Sequence, residues 1–179
     1  MFMKPEKTIK ENLCFKGKIL TVFNDEILTA GGNKATREYI RHNGGVCVVA
    51  INAENEVYMV RQYRYPYREE VLELPAGKLE LGEDPLKAGM RELEEETGMR
   101  AGKIEFLGQF YPTPGYTNEI IYMYKATELT AVGQNLDEDE FLSVEKYDIQ
   151  KLGEMILSGE IKDGKTIAAV LKVLAGDKK

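Results

Sequence analysis

The sequence has one histidine, two cysteines and no excess of cationic residues. A lone imidazole, His42, excludes a histidine-rich zinc site and speaks against a Ser–His or Cys–His nucleophile. Its setting in REYIRHNGG, at a strand end, is explained by turn structure. Cys14 and Cys47 match neither a thiolate metal site nor a CxxC redox pair, so two buried free thiols in a reducing cytoplasm are expected. The longest uninterrupted apolar stretch, residues 46–51, falls far short of the roughly 20 residues a membrane-spanning helix needs. The opening MFMKPEKTIKEN contains no apolar core of a signal peptide. Lys and Arg number 24 against 30 Asp and Glu, for a formal net charge of −6. That balance is not the footprint of a nucleic-acid binder, and if phosphates are handled, cations must help.

What is present suffices for one folded domain: 179 residues, 43% of them hydrophobic, can bury a sizeable core. Residues 18–29 read as short strands, and residues 37–42 alternate charged and apolar side chains as a half-solvated strand does. GVCVVAI reads as a buried strand, followed after a turn at residues 52–55 by the strand EVYMVRQY. KIEFLGQFY and EIIYMYKA are two more strands bracketing the turn-rich YPTPGYTN. A short strand at 141–144 precedes two helical segments, 148–157 and 165–175. The order of elements predicts an α+β fold, with residues 1–40 as an N-terminal strand extension packing elsewhere and residues 41–179 as the main domain.

Between VLELPAG and KIEFLGQFY lies a helix with clear ends. Asp84 is the cap, Pro85 the first helical position and Gly98 the stop. Leu86, Met90, Leu93 and Thr97 are expected on the core face, and Glu92, Glu95 and Glu96 on the adjacent one. Like charges at this spacing destabilise a helix by a few tenths of a kcal/mol per pair, so something should offset them. Lys87 and Arg91 are expected to project to the other side. A solvated charged face is the ordinary reading of such a run. A hard divalent cation with oxygen ligands is the sharper one, with Gly89 admitting a neighbouring backbone or an ion shell.

The segment GKLELGEDPLKAGMRELEEETGM, residues 77–99, resembles the Nudix box G-x5-E-x7-R-E-U-x-E-E-x-G-U, U being a bulky apolar residue, at every fixed position. The resemblance implies a Nudix-like αβα sandwich around a mixed sheet, with the box as loop, helix and loop. It also implies that Glu92, Glu95 and Glu96 ligate Mg²⁺ or Mn²⁺ with the carbonyl of Ala76 as a further ligand. Arg91 would orient the carboxylates through salt bridges, and Glu83 would support the loop or the metal shell.

A second likeness narrows the substrate. Pro114, 16 residues after Gly98, is similar in spacing to the proline of the ADP-ribose pyrophosphatase subfamily, although an ordinary turn would also explain PTPG. REYIRH, VRQYRYP and ELPAGKLE resemble the same subfamily. Arg37 and Arg64 then match substrate-contacting arginines, or else are surface strand arginines with solvated ends. The implied activity is Mg²⁺-dependent cleavage of ADP-ribose, a small nucleoside diphosphate derivative, to AMP and ribose 5-phosphate. Alternatives are a pyrophosphatase for another sugar nucleotide or dinucleotide, or a silent ADP-ribose sensor. The N-terminal strand extension and the resemblance together predict a homodimer, and the charge balance and short apolar runs predict no nucleic-acid or membrane partner. The resemblance also points to a base on the acidic loop 135–141, Glu138 or Glu140, with Glu140 preferred as the better anchored.

Overall fold

A computed structural model describes residues 5–136 and 141–176. It divides into two compact units, one of residues 1–43 with 113–119 and one of residues 44–112 with 120–179.

The smaller unit is an antiparallel sheet of β1 (Lys7–Lys10), β2 (Leu13–Lys16), β3 (Thr21–Leu28) and β4 (Lys34–Arg41). β1 and β2 both pair with β3, while β4 pairs with β3 along its whole length from Thr21↔Arg41 to Leu28↔Lys34. Alternation along β3 buries Phe23, Asp25 and Ile27, the period of two expected of a strand with one covered face. Buried Asp25 is not left bare, since its Oδ1 accepts the amide of Asn12 at 3.0 Å. Phe23 stacks on Tyr39 and carries the guanidinium of Arg41 4.1 Å from its ring centroid. The amide of Ile40 donates to the carbonyl of Tyr116, which ties residues 113–119 to β4. The two short strands β1 and β2 lie where the sequence reading had no element. Both are exposed throughout, so no apolar alternation marks them. Cys14, on β2, is exposed rather than buried, whereas Cys47 is buried as expected.

The larger unit is built around β5 (Gly45–Ala50), whose six residues are all buried. After it come β6 (Glu56–Arg64), β7 (Glu69–Glu73), β8 (Ala76–Lys78), α1 (Pro85–Thr97), β9 (Met99–Phe110) and β10 (Ile121–Ala131). The chain ends with β11 (Leu142–Asp148), α2 (Ile149–Leu157) and α3 (Gly164–Gly176). One sheet runs β8-β5-β10-β9 and a second runs β11-β6-β7. β5 and β10 are parallel while β8 and β9 are antiparallel to them, so the first sheet is mixed. Strand β5 carries a core on each face. Val46, Val48 and Ala50 pack with Ala88 and Leu93 of α1, whereas Cys47 and Val49 pack with Leu152 and Met155 of α2 and Ala169 and Val170 of α3. Helices on both faces make the strand apolar at every position, which is why it reads as an unbroken β-branched run.

The cap of α1 is as the sequence predicts. Asp84 accepts from the amides of Leu86 and Lys87, and Gly98 closes the helix in the left-handed region at φ 70°. Its buried face differs from the expectation: Ala88, Gly89 and Leu93 turn inward with Thr97, whereas Leu86 and Met90 are exposed. Gly89 admits neither backbone nor an ion shell. A Cβ there would meet Val46 Cγ2 at 3.1 Å and Tyr124 Cδ2 at 3.4 Å, so its small size lets the helix settle onto the sheet. Among the described residues no helix is long and apolar enough to cross a membrane.

Candidate active site

The turn after β7 leads through the short strand β8 to the carboxylate helix α1. Pro75 separates β7 from β8, and its carbonyl accepts the amide of Val48 at 3.0 Å. The next amide, that of Ala76, donates to Glu96 Oε2 at 2.8 Å, fixing the end of α1 against the start of β8. β8 is an edge strand, and a residue's N–H and C=O point to the same edge of a strand, so the Ala76 carbonyl faces the Glu96 side as well. One residue on, Gly77 makes the approach of Glu92 possible: a Cβ on Gly77 would lie 1.9 Å from Glu92 Oε1. Any side chain at this position would have to displace the Glu92 carboxylate.

Glu92 and Glu96, one helical turn apart, are 9% and 4% exposed, which is rare for ionisable side chains. Arg91 sits among the acids. Its Nη1 lies 2.9 Å from Glu92 Oε1 and donates to Glu95 Oε2 at 2.9 Å, while Nε and Nη2 reach the two oxygens of Glu83 at 3.2 and 3.3 Å. This corrects the expectation that Arg91 projects to the far side of the helix: its long stem folds back across the acidic face. Burial works against the Arg91 charge, yet the contacts with Glu83, Glu92 and Glu95 raise its pKa above the ordinary arginine value. Glu83 is held below the usual carboxylate range by Arg91 and by the amide of Glu80, which donates to it at 2.9 Å. Glu83 thereby closes the loop before the helix.

The far end of α1 is fastened by the chain leaving β10. The amide of Val132 donates to the carbonyl of Gly98 and that of Asn135 to the carbonyl of Glu95. Gln134 Nε2 donates to the carbonyl of Glu96 at 2.6 Å. Residues 132–135 therefore lie against the last turn of the carboxylate helix. Glu138 and Glu140 themselves lie outside the described residues.

Arg64, at the end of β6, makes paired bonds of 2.6 and 2.6 Å to Glu73. Its pKa is raised first by that hydrogen-bonded pair, and the charge of Glu96 contributes in the same direction. Lys165, at the start of α3, also binds Glu73, and Asp163 as well at 3.0 Å. Burial opposes the charges of both Glu73 and Lys165, but their contacts outweigh it, holding Glu73 below and Lys165 above its ordinary value. Glu73, Lys165 and Asp163 were not singled out from the sequence. A lone acid inside the apolar run VLELP and the helix-opening DGKT were the available signals. Arg37 and Pro114 belong to the smaller unit. Arg37 pairs with Glu6 and donates to the carbonyl of Thr36, and Pro114 lies in the turn in which the amides of Tyr116 and Thr117 donate to the carbonyl of Thr113.

The donors expected from the box, Glu92, Glu95, Glu96 and the Ala76 carbonyl, are all oxygen. That chemistry fits a hard divalent cation and not a soft metal. Among the described residues no three acidic, histidine or cysteine side chains are gathered as a ready-made metal cage, and Arg91 Nη1 lies 2.9 Å from both Glu92 and Glu95. Glu92 and Glu96 are buried, and Glu96 is bonded to the amide of Ala76.

The sequence profile of the NUDIX domain matches residues 41–170. The chain belongs to the Nudix family. Its box is the loop and helix just described, and relatives match it nearly end to end. The chain is 41% identical over 167 residues to the methanol dehydrogenase activator of Bacillus methanolicus, covering 92% of this chain and 90% of that protein. It is 38% identical over the same length, with the same coverage, to the ADP-ribose pyrophosphatase of Bacillus subtilis (strain 168). Among solved structures, an ADP compounds hydrolase superposes with a TM-score of 0.87, covering 99% of this chain and 97% of that one at 18% identity. That match confirms the Nudix-like α+β fold.

Proposed function

We propose that this Nudix enzyme hydrolyses the diphosphate bond of ADP-ribose, giving AMP and ribose 5-phosphate, with Mg²⁺ or Mn²⁺ as cofactor. The observation that carries the reading is the box helix, with Glu92 and Glu95 on Arg91 and Glu96 on the amide of Ala76. The 38% identity to an ADP-ribose pyrophosphatase supports the substrate. Glu92, Glu95, Glu96 and the Ala76 carbonyl would hold the metal. Bound there, it supplies charge neutralisation of the diphosphate and a more acidic water. Arg91 keeps the carboxylates apart and oriented. Arg64 and Arg37 serve the substrate phosphates, a task suited to a planar guanidinium that can hold two oxygens, and Pro114 shapes a substrate-side turn. Glu140, or Glu138, takes the proton of the attacking water. The anchoring of Gln134 and Asn135 on the last turn of α1 supports that assignment.

Residues 1–40 act as a dimerising extension to the hydrolase domain of residues 41–179, and the working form is a homodimer. The exposed apolar side chains of Leu13, Phe15 and Ile19 support this reading, since a partner would cover them. Two free thiols suit a reducing cytoplasm. The partners are small nucleotide derivatives, with neither nucleic acid nor membrane among them. A panel of ADP-ribose, GDP-mannose, diadenosine polyphosphates and NADH, assayed with Mg²⁺, tests the substrate. ADP-ribose should show the highest kcat/KM. A clearly higher value for another member would overturn the substrate while leaving the reaction class in place.

A further inference from the structure

Glu73 is 2% exposed and is held by two cations of unlike access. The side chain of Arg64 is 41% exposed, that of Lys165 only 14%. Lys165 is fixed from behind: it binds Asp163, which accepts from both the amide and the hydroxyl of buried Thr166, at 3.0 and 2.6 Å. The Thr166 hydroxyl oxygen in turn accepts the amide of Leu74 at 2.9 Å. Arg64 reaches Glu73 from the open side and lies within the field of Glu96.

A buried carboxylate deprived of every counter-ion is costly, so an arginine that is its sole partner cannot leave. Two cations on one acid permit exchange. We propose that Lys165 is a positioning residue, the resident counter-ion of Glu73, which lets Arg64 transfer from Glu73 to the diphosphate of the substrate without stranding a buried charge. The proposal rests on the reading of Arg64 as a substrate contact. Without Lys165, Glu73 would retain Arg64 and the substrate would have to compete for it. A purely structural Lys165 would act differently. It would steady the segment 73–76 and, through the Ala76 amide, Glu96, so its loss would lower kcat.

The test compares Lys165→Met, Lys165→Arg, Arg64→Ala and the double variant Arg64→Ala/Lys165→Met, each with a thermal melt. The substrate is ADP-ribose, or the diphosphate the wild type prefers if that differs, so an error of substrate shows in the wild type alone. Lys165→Met should raise KM about tenfold while kcat stays within about threefold of wild type. Lys165→Arg should restore KM, and Lys165→Met should add nothing to the KM of Arg64→Ala. A fall in kcat with KM unchanged, an equal rise in KM in both backgrounds, or an Arg64→Ala enzyme with wild-type KM would overturn the proposal. If Lys165→Met, or the double variant that leaves Glu73 with neither cation, does not fold, Glu73→Gln/Lys165→Met removes acid and counter-ion together. It should bind substrate at least as well as wild type, and a KM raised to that of Arg64→Ala would refute the idea.

Discussion

Gly77 is where a single hydrogen decides the site. A methyl group there would overlap the Glu92 carboxylate, with its Cβ 1.9 Å from Oε1, yet the obstacle is the end of a flexible side chain. Gly77→Ala should therefore fold with little loss of stability while displacing Glu92, lowering turnover by about 100-fold. Melting curves beside steady-state rates check this, and an active Gly77→Ala enzyme would contradict the placement of Glu92. The box letters made Glu92, Glu95, Glu96 and Gly77 legible in the sequence. The direction of Arg91 was not, because a helical projection locates Cα atoms, whereas a guanidinium on a long stem goes where the acids are. Glu73 was hidden for a related reason: nothing in VLELP says that its charge is matched by Lys165, 92 residues away.

Among the elements, β5 and α1 were the most legible, for β5 alternates between two cores and α1 carries a cap at each end. β1 and β2 were not, since a strand that buries nothing leaves no apolar period to read. The junction of β6, β7 and α3 through Glu73 makes a prediction about pH. The folded pKa of Glu73 lies below its ordinary 4.5, so its ionised form contributes stability above 4.5 that is lost as pH falls through the folded value. Lys165 is shifted upward, so its contribution is present below its ordinary 10.5 and is lost as pH rises through the folded value. Glu73→Gln should cost about 3 kcal/mol at neutral pH. The difference from wild type should shrink on acidification well below 4.5, where Glu73 itself becomes neutral. Denaturation across that range measures it, and a pH-independent difference would contradict the ionised pair.

For the whole molecule, two units and a Nudix match covering residues 41–170 leave the assembly to be measured. Light scattering at micromolar protein should give twice the chain mass of 20.2 kDa, and the single-chain mass would refute the homodimer. The order of strands and helices was legible because each long element carries its own period and stop signals. The gathering of the acids around Arg91 was not, because it depends on contacts across the fold. The central claim is that these acids make a metal-dependent hydrolase, and its most direct measurement is product formation from ADP-ribose by wild type and Glu96→Gln, each with Mg²⁺ and with excess EDTA. Wild type with Mg²⁺ should release AMP and ribose 5-phosphate in equal amounts, EDTA should abolish the reaction, and Glu96→Gln should lose orders of magnitude in rate while melting as a folded protein. Release of the same products at the wild-type rate in EDTA or by Glu96→Gln would contradict the account.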